Sequence, residues 1–128
     1  MDRVYVEGVD IASLIKAFNQ FEKFRVNLDT EQAKAGTILA FGCVFELCWK
    51  TMQRILYHKG LTEYGLKPIF RAAALGGMIH DPKCWFEFLE KRMLVLQVYP
   101  EVFTDDVIKI FPEFSKEVAS FLQNIMKD

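Results

Sequence analysis

The sequence has little of what marks a secreted protein or a protein that binds duplex DNA. Its three cysteines are an odd number, which disfavours the disulfide framework of a small secreted domain. The 16 basic and 17 acidic residues give a formal net charge of −1, whereas duplex-DNA binders usually carry a basic excess. Residues 1–10 include three acids and no basic-then-apolar leader. We expect a cytoplasmic protein that does not bind duplex DNA.

The chain also lacks linkers and long uncharged apolar runs. Only 4 prolines and 7 glycines occur among 128 residues, and no stretch rich in proline, glycine or serine divides the chain. The longest apolar run, residues 37–49, contains Gly42 and Glu46 and is too short to cross a bilayer. These features predict one domain over residues 1–128 and no membrane association.

Bulky apolar residues are plentiful, and their spacing is helical. Hydrophobic residues make up 52% of the chain, with 12 phenylalanines, and they recur at three- and four-residue steps. Period-two alternation occurs only near residues 3–7. We predict an all-α, antiparallel up-and-down four-helix bundle with an additional short helix at 67–77. The main helices are expected at about 10–26, 30–59, 81–99 and 104–128.

Capping residues predict where these helices begin and end. Asp10, Asp29 and Asp81 are the expected N-caps, and Asp29 stands three residues before a glutamine, which is capping-box spacing. Gly60 is the expected C-cap of the second helix. Pro112 is expected to kink or restart the last helix.

One segment has more apolar surface than a small bundle needs. Residues 39–49 are apolar nearly all round, so a helix there would be buried on every side. We expect a two-fold homodimer formed mainly by the second helix and the C-terminal half of the fourth segment.

Catalytic and metal-binding patterns are missing. His58 and His80 have no ligand partner at zinc spacing, and Cys43 and Cys48 are five residues apart, which is not a chelating pair. Cys84 has no base beside it, and neither a Gly-x-Ser-x-Gly motif nor a phosphate-binding loop is present. We predict no metal, no cofactor and no catalytic nucleophile.

Charged residues within the second helix are the first candidates for a binding site. Glu46 lies alone in the apolar run, and Lys50 follows four residues later, which is the favourable order for a helix ion pair. This pair is expected on the helix surface or at a subunit interface, or else Glu46 lies in a cleft. Lys50, Arg54 and His58 share one face, which is either solvated or faces a groove that holds phosphate.

Two further groups of polar residues leave the same alternatives open. Lys67 and Arg71 form a second basic pair, on the short helix. Arg92, Gln97 and Tyr99 follow at the end of the fourth segment, where the tyrosine is equally compatible with an aromatic that packs at a helix end.

The second helix carries a family signature. Residues 45–51 read Phe-Glu-Leu-Cys-Trp-Lys-Thr and resemble the Phe-Glu-Leu-x-Trp-Lys-Thr signature of the nucleotidyltransferase substrate-binding family, small helical bundles of the HEPN superfamily. Nearly the whole chain takes part in the resemblance. The other matching positions are Arg71, Ala73, Gly77, Ile79, Trp85, Glu90, Arg92 and Tyr99.

The resemblance implies a two-gene arrangement. The partner would be a separately encoded minimal nucleotidyltransferase, and this chain would bind a nucleotide or phosphorylated substrate for it, within a toxin–antitoxin type of module. The implied groove contains Glu46, Lys50, Arg54, Arg92 and Gln97. In some relatives the tyrosine that corresponds to Tyr99 receives a nucleotide from the partner, so Tyr99 is a possible modification site.

Two positions depart from the family pattern. Met93 replaces the usual asparagine, and Gln97 replaces the histidine of the Arg-x4–6-His motif of ribonuclease relatives. Glutamine does not titrate near neutral pH and cannot serve as general base. We therefore predict a non-catalytic subunit that cleaves no RNA. A ribonuclease toxin and a purely structural oligomer are the alternatives.

Overall fold

The helices of the chain are those that the apolar periodicity predicts. The computed structural model describes residues 4–97 and 105–127. A short hairpin, β1 (Tyr5–Val6) and β2 (Val9–Asp10), precedes α1 (Ala12–Phe24) and α2 (Glu31–His58). They are followed by α3 (Leu66–Leu75), α4 (Pro82–Gln97) and α5 (Phe111–Ile125), with a further helical turn at 105–108. The all-α bundle with one short additional helix, α3, is confirmed.

Most of the predicted helix ends are correct to within a few residues. The Asp81 carboxylate accepts the backbone amide of Lys83 just inside α4, as predicted for a cap. The N-cap of α1 is Ile11, so the prediction of Asp10 was wrong by one residue, although the Asp10 carboxylate accepts the Ala12 amide. The N-cap of α2 is Thr30, whose hydroxyl accepts the Ala33 amide at 3.0 Å, so the prediction of Asp29 was wrong. Both residues are good caps, and the choice between them depends on which one has extended backbone angles.

A proline marks the start of α5, and a glycine follows the end of α2. Pro112 lies in the first turn of α5, where its missing amide costs no helical hydrogen bond, so the chain restarts there. Gly60 follows α2 with a φ of +85°, as predicted for a terminating glycine. The predicted end of the fourth segment, at Tyr99 and Pro100, lies outside the described residues.

An aromatic core joins the helices. Trp85 of α4 packs against Phe45 of α2, Phe70 of α3 and Phe121 of α5, with ring centroids 5.7 to 6.5 Å apart. Phe21 of α1 meets the rings of α5 edge to face. The abundance of phenylalanine in the sequence is thus explained by one core that all five helices share.

Helix α2 lies at the centre of this arrangement. It contacts α1, α3 and α4. At 28 residues it is longer than the apolar run, and by length and composition alone it would suffice to cross a membrane. Half of its most apolar stretch is buried inside the protein, however, which is typical of the core helix of a globular domain.

The N-terminal hairpin was not predicted. Tyr5 pairs with Asp10 and Val6 with Val9, and Glu7 and Gly8 between them both have positive φ, as in a tight two-residue turn. The alternation near residues 3–7 includes β1, but strands of two residues are too short for such a pattern to predict a hairpin. The hairpin brings Gly8 against the imidazole of His58, at the end of α2.

Candidate functional site

Arg92 and Glu46 meet where α4 crosses α2. The guanidinium of Arg92 lies directly over Gly42, where any Cβ would overlap it. Its Nε is 3.7 Å from Oε1 of Glu46, and the Arg92 side chain is only 17% exposed. This Nε is buried without a hydrogen-bond partner among the described residues, so its contact with Glu46 is a charge attraction and not a hydrogen bond.

The second oxygen of Glu46 is also engaged. Oε2 accepts a hydrogen bond from the indole Nε1 of Trp49 at 3.1 Å, and the ammonium of Lys50 lies 5.7 Å from the Trp49 ring centroid. The predicted Glu46–Lys50 ion pair was wrong, because Glu46 pairs with Arg92 and Lys50 contacts the Trp49 ring. Helical spacing identifies only partners on the same helix, and the partner that forms the ion pair comes from α4.

The residues of the implied groove are spread along α2 and onto α4. Glu46 and Arg92 are in contact, and Lys50 is exposed one turn further along α2. Arg54 is two turns from Glu46, about 12 Å along the helix axis at 1.5 Å per residue. Gln97 is the last residue of α4, and Tyr99 lies outside the described residues.

Arg54 also lines a cleft at the end of α2. This α2-end cleft has a volume of about 330 Å³. Gly60, at φ +85°, turns the chain back, and the Leu61 amide donates to the Leu56 carbonyl at 2.9 Å. The Gln53 side-chain amide donates to the Glu63 carbonyl at 2.9 Å and fixes the loop beside the helix. Six of the lining residues are Arg54, Tyr57, His58, Leu61, Glu63 and Tyr64.

The second basic pair lies against an aromatic ring. The cationic groups of Lys67 and Arg71 are 5.7 and 5.3 Å from the ring centroid of Phe86 on α4. Both side chains are exposed. Cation–π contacts of this kind stabilise the packing of α3 on α4 without requiring a bound anion.

A cluster that the sequence analysis missed joins α4 and α5. Cys84, Glu113 and Glu117 bring their sulfur and carboxylate oxygens within 4.8 Å of one another. Burial, together with the carboxylates of Glu117 and Glu113, raises the pKa of the Cys84 thiol. Burial and Glu113 likewise raise the pKa of Glu117. The i,i+4 spacing of the two glutamates is visible in the sequence, but their approach to Cys84 is purely tertiary.

Comparison with known families identifies the family of this chain. The sequence profile of the family described as nucleotidyltransferase substrate binding protein like matches residues 9–127. The chain belongs to this family. The match includes α1 to α5 and the Glu46–Arg92 pair, and it confirms the family resemblance of the α2 signature. A search of curated proteins found no match.

Two solved structures share the fold of this family member. A Thermus thermophilus protein is 20% identical, with a TM-score of 0.82 over 89% of this chain and 99% of that one. A Haemophilus influenzae protein, described as revealing the fold of a substrate binding domain of a nucleotidyltransferase, is 24% identical. Its TM-score is 0.81, over 89% of this chain and 97% of that one. At these identities the likeness shows the fold alone.

Proposed function

We propose that this chain is a non-catalytic subunit that binds substrate for a separately encoded minimal nucleotidyltransferase. The observation that carries the proposal is the family match over residues 9–127. A two-gene module, of toxin–antitoxin or other type, is the arrangement that the resemblance implies. The substrate would be a nucleotide or another phosphorylated molecule, since the groove residues include Lys50, Arg54 and Arg92.

The geometry around Glu46 supports a positioning role for this residue. Both oxygens of Glu46 face other partners, one the Arg92 guanidinium and the other the Trp49 indole. In this role Glu46 positions Arg92, and Arg92 supplies fixed positive charge at the border of the groove.

The proposal includes a homodimer. Leu39 of α2 and Met93 and Leu96 of α4 are 74%, 41% and 60% exposed. They lie on the two helices that are expected to form the subunit interface. Large apolar side chains exposed on adjoining elements are a common mark of an association surface.

Co-expression tests the partnership. The chain would be produced together with a minimal nucleotidyltransferase encoded beside it, and the mixture would be analysed by size-exclusion chromatography with light scattering. We expect a stable complex at micromolar concentration. Separate elution of the two proteins at that concentration would refute the proposal.

Matched charge substitutions in the same complex test whether the partner docks on the exposed α2 face beside the groove. Lys50→Glu changes a charge on the exposed face of α2, whereas Lys16→Glu changes one on α1, away from the proposed groove. The first substitution should weaken the complex and the second should leave it intact. Equal effects would show that the α2 face is not used.

A further inference from the structure

The α2-end cleft combines exposed aromatic rings with a positive charge. Tyr57 and Tyr64 are 68% and 85% exposed, and Leu61 beside them is 49% exposed. Exposed aromatic and apolar side chains gathered around one concave site are a common mark of a binding site. Arg54, which also lines the cleft, adds a planar cation.

The shape and support of the cleft suit a small ligand. Its volume of about 330 Å³ lies at the lower end of the range for small-molecule sites. The glycine turn and the Gln53–Glu63 hydrogen bond fix the loop that forms one wall. The lining comes from the end of α2 and the loop that follows it, and the imidazole of His58 lies close to Gly8 of the hairpin.

The chemistry of the lining selects the class of ligand. Tyrosine rings stack on heteroaromatic bases, and a guanidinium binds a phosphate through paired hydrogen bonds. The half-buried Glu63 provides a carboxylate that accepts hydrogen bonds from ribose hydroxyls or from a base amino group.

We infer that the α2-end cleft binds a nucleoside monophosphate unit, with the base on Tyr57 and Tyr64 and the phosphate on Arg54. This inference rests on the proposed function for its setting, and it places one subsite for the substrate at the end of α2, two turns along the helix from the Glu46–Arg92 pair. The unit is either a free mononucleotide or the terminal nucleotide of a strand, since both present the same groups.

Titration of the isolated protein with AMP, followed by amide NMR shifts, tests the inference. A parallel titration with the trinucleotide ApApA distinguishes the two sources. We expect saturable shifts at Tyr57, Leu61 and Tyr64 with at least one of the two probes. Ribose 5-phosphate, which has no base, should bind about tenfold more weakly than AMP wherever AMP binds.

Matched variants locate the contacts. Tyr64→Ala and Arg54→Ala should each weaken binding of the better probe by about tenfold. Leu75→Ala, at a 91% exposed position on α3, and Arg71→Ala should leave it unchanged. Neither Tyr64 nor Arg54 is part of the buried core, so loss of folding is not expected, and circular dichroism checks it.

Failure of this inference is distinguishable from failure of the proposed function. Absence of shifts with both probes, or shifts confined to residues outside the cleft, would overturn the inference. Loss of binding in Arg71→Ala with none in Arg54→Ala would overturn it too. A complex with the nucleotidyltransferase would still form in either case, because that test does not depend on the cleft.

Discussion

Gly42 determines where the guanidinium of Arg92 lies. A Cβ at this position would overlap Arg92, whereas a Cβ at Gly36, six residues earlier on α2, would meet nothing within 4 Å. Alanine in place of glycine within a helix is worth up to about 1 kcal/mol. Gly36→Ala should therefore raise the free energy of unfolding. The free energy of unfolding of the Gly42→Ala protein should be about 1–2 kcal/mol lower than that of the Gly36→Ala protein. Urea denaturation of both variants measures the difference.

The predicted difference in stability between the two alanine variants depends on displacement of the Arg92 side chain. In the Gly42→Ala protein the guanidinium must shift from its position over Gly42. We expect this shift to loosen its contact with Glu46, so that a further Glu46→Gln substitution should lower the free energy of unfolding only slightly. In the natural protein the same Glu46→Gln change should lower the free energy of unfolding more, because it removes the charge that faces Arg92. Equal stabilities for the two alanine variants would contradict the close packing of Arg92 on Gly42.

Ser115 ties α5 to α1 through a charged residue. Its hydroxyl donates to Oε1 of Glu22 at 2.6 Å, and Arg25 donates to the same carboxylate. Burial alone would raise the pKa of Glu22, but the hydrogen bonds from Arg25 and Ser115 outweigh it and the pKa is lowered. The stabilisation is therefore present above the usual pKa of a glutamate and is lost as the pH falls through the lowered value.

Ser115→Ala should consequently lower the free energy of unfolding by roughly 1 kcal/mol at neutral pH. The loss should shrink as the pH falls and Glu22 becomes protonated. Chemical denaturation at a series of pH values measures this, with Ser120→Ala on the same helix as the control. A loss that is independent of pH would mean that the hydroxyl does not act through the Glu22 carboxylate.

At the scale of the element, Gly60 ends α2 and begins the wall of the cleft. Its φ of +85° is unfavourable for a residue with a Cβ, although an added Cβ would meet nothing within 4 Å. Gly60→Ala should thus lower the free energy of unfolding by about 1 kcal/mol through backbone strain alone. Gly60→Asn should lose less, since asparagine tolerates this conformation. Thermal melting of both proteins measures the losses. A Gly60→Ala protein as stable as the natural one would contradict the predicted backbone strain.

The helices were predictable because each signal is local. The periodicity of Ile38, Phe41 and Phe45 on α2, and the restart at Pro112, depend only on neighbouring residues. The hairpin was missed because its strands have two residues each. The choice of Thr30 as N-cap over Asp29 depends on backbone angles that composition does not fix.

The candidate site was less predictable for a physical reason. Sequence spacing predicted a partner for Glu46 on its own helix. In the structure its partner is Arg92 of α4, which packs over the bare backbone of Gly42. The α2-end cleft depends on a loop that folds back after Gly60, and the cluster at Cys84 depends on how α4 and α5 meet. Such contacts between separate elements leave no periodic trace.

At the scale of the whole molecule, the exposed apolar side chains on α2 and α4 predict self-association. Light scattering should find a dimer at micromolar concentration. Leu39→Glu should shift the protein to monomer, because a charge would be buried at the interface. Leu75→Glu, at a more exposed leucine on α3, should remain dimeric. A monomeric natural protein at that concentration would contradict this interface.

The most direct test of the proposed function is the effect of this chain on the reaction of the nucleotidyltransferase that it is proposed to serve. Transfer of a nucleotide from ATP releases pyrophosphate whatever the acceptor is. Pyrophosphate release by the nucleotidyltransferase would be measured in a protein-free cell extract, without and with this chain and with its Arg92→Ala variant. We predict little release by the enzyme alone, a large increase with the natural chain and a smaller one with the variant. The same rate with and without the chain would contradict its assignment as the substrate-binding subunit.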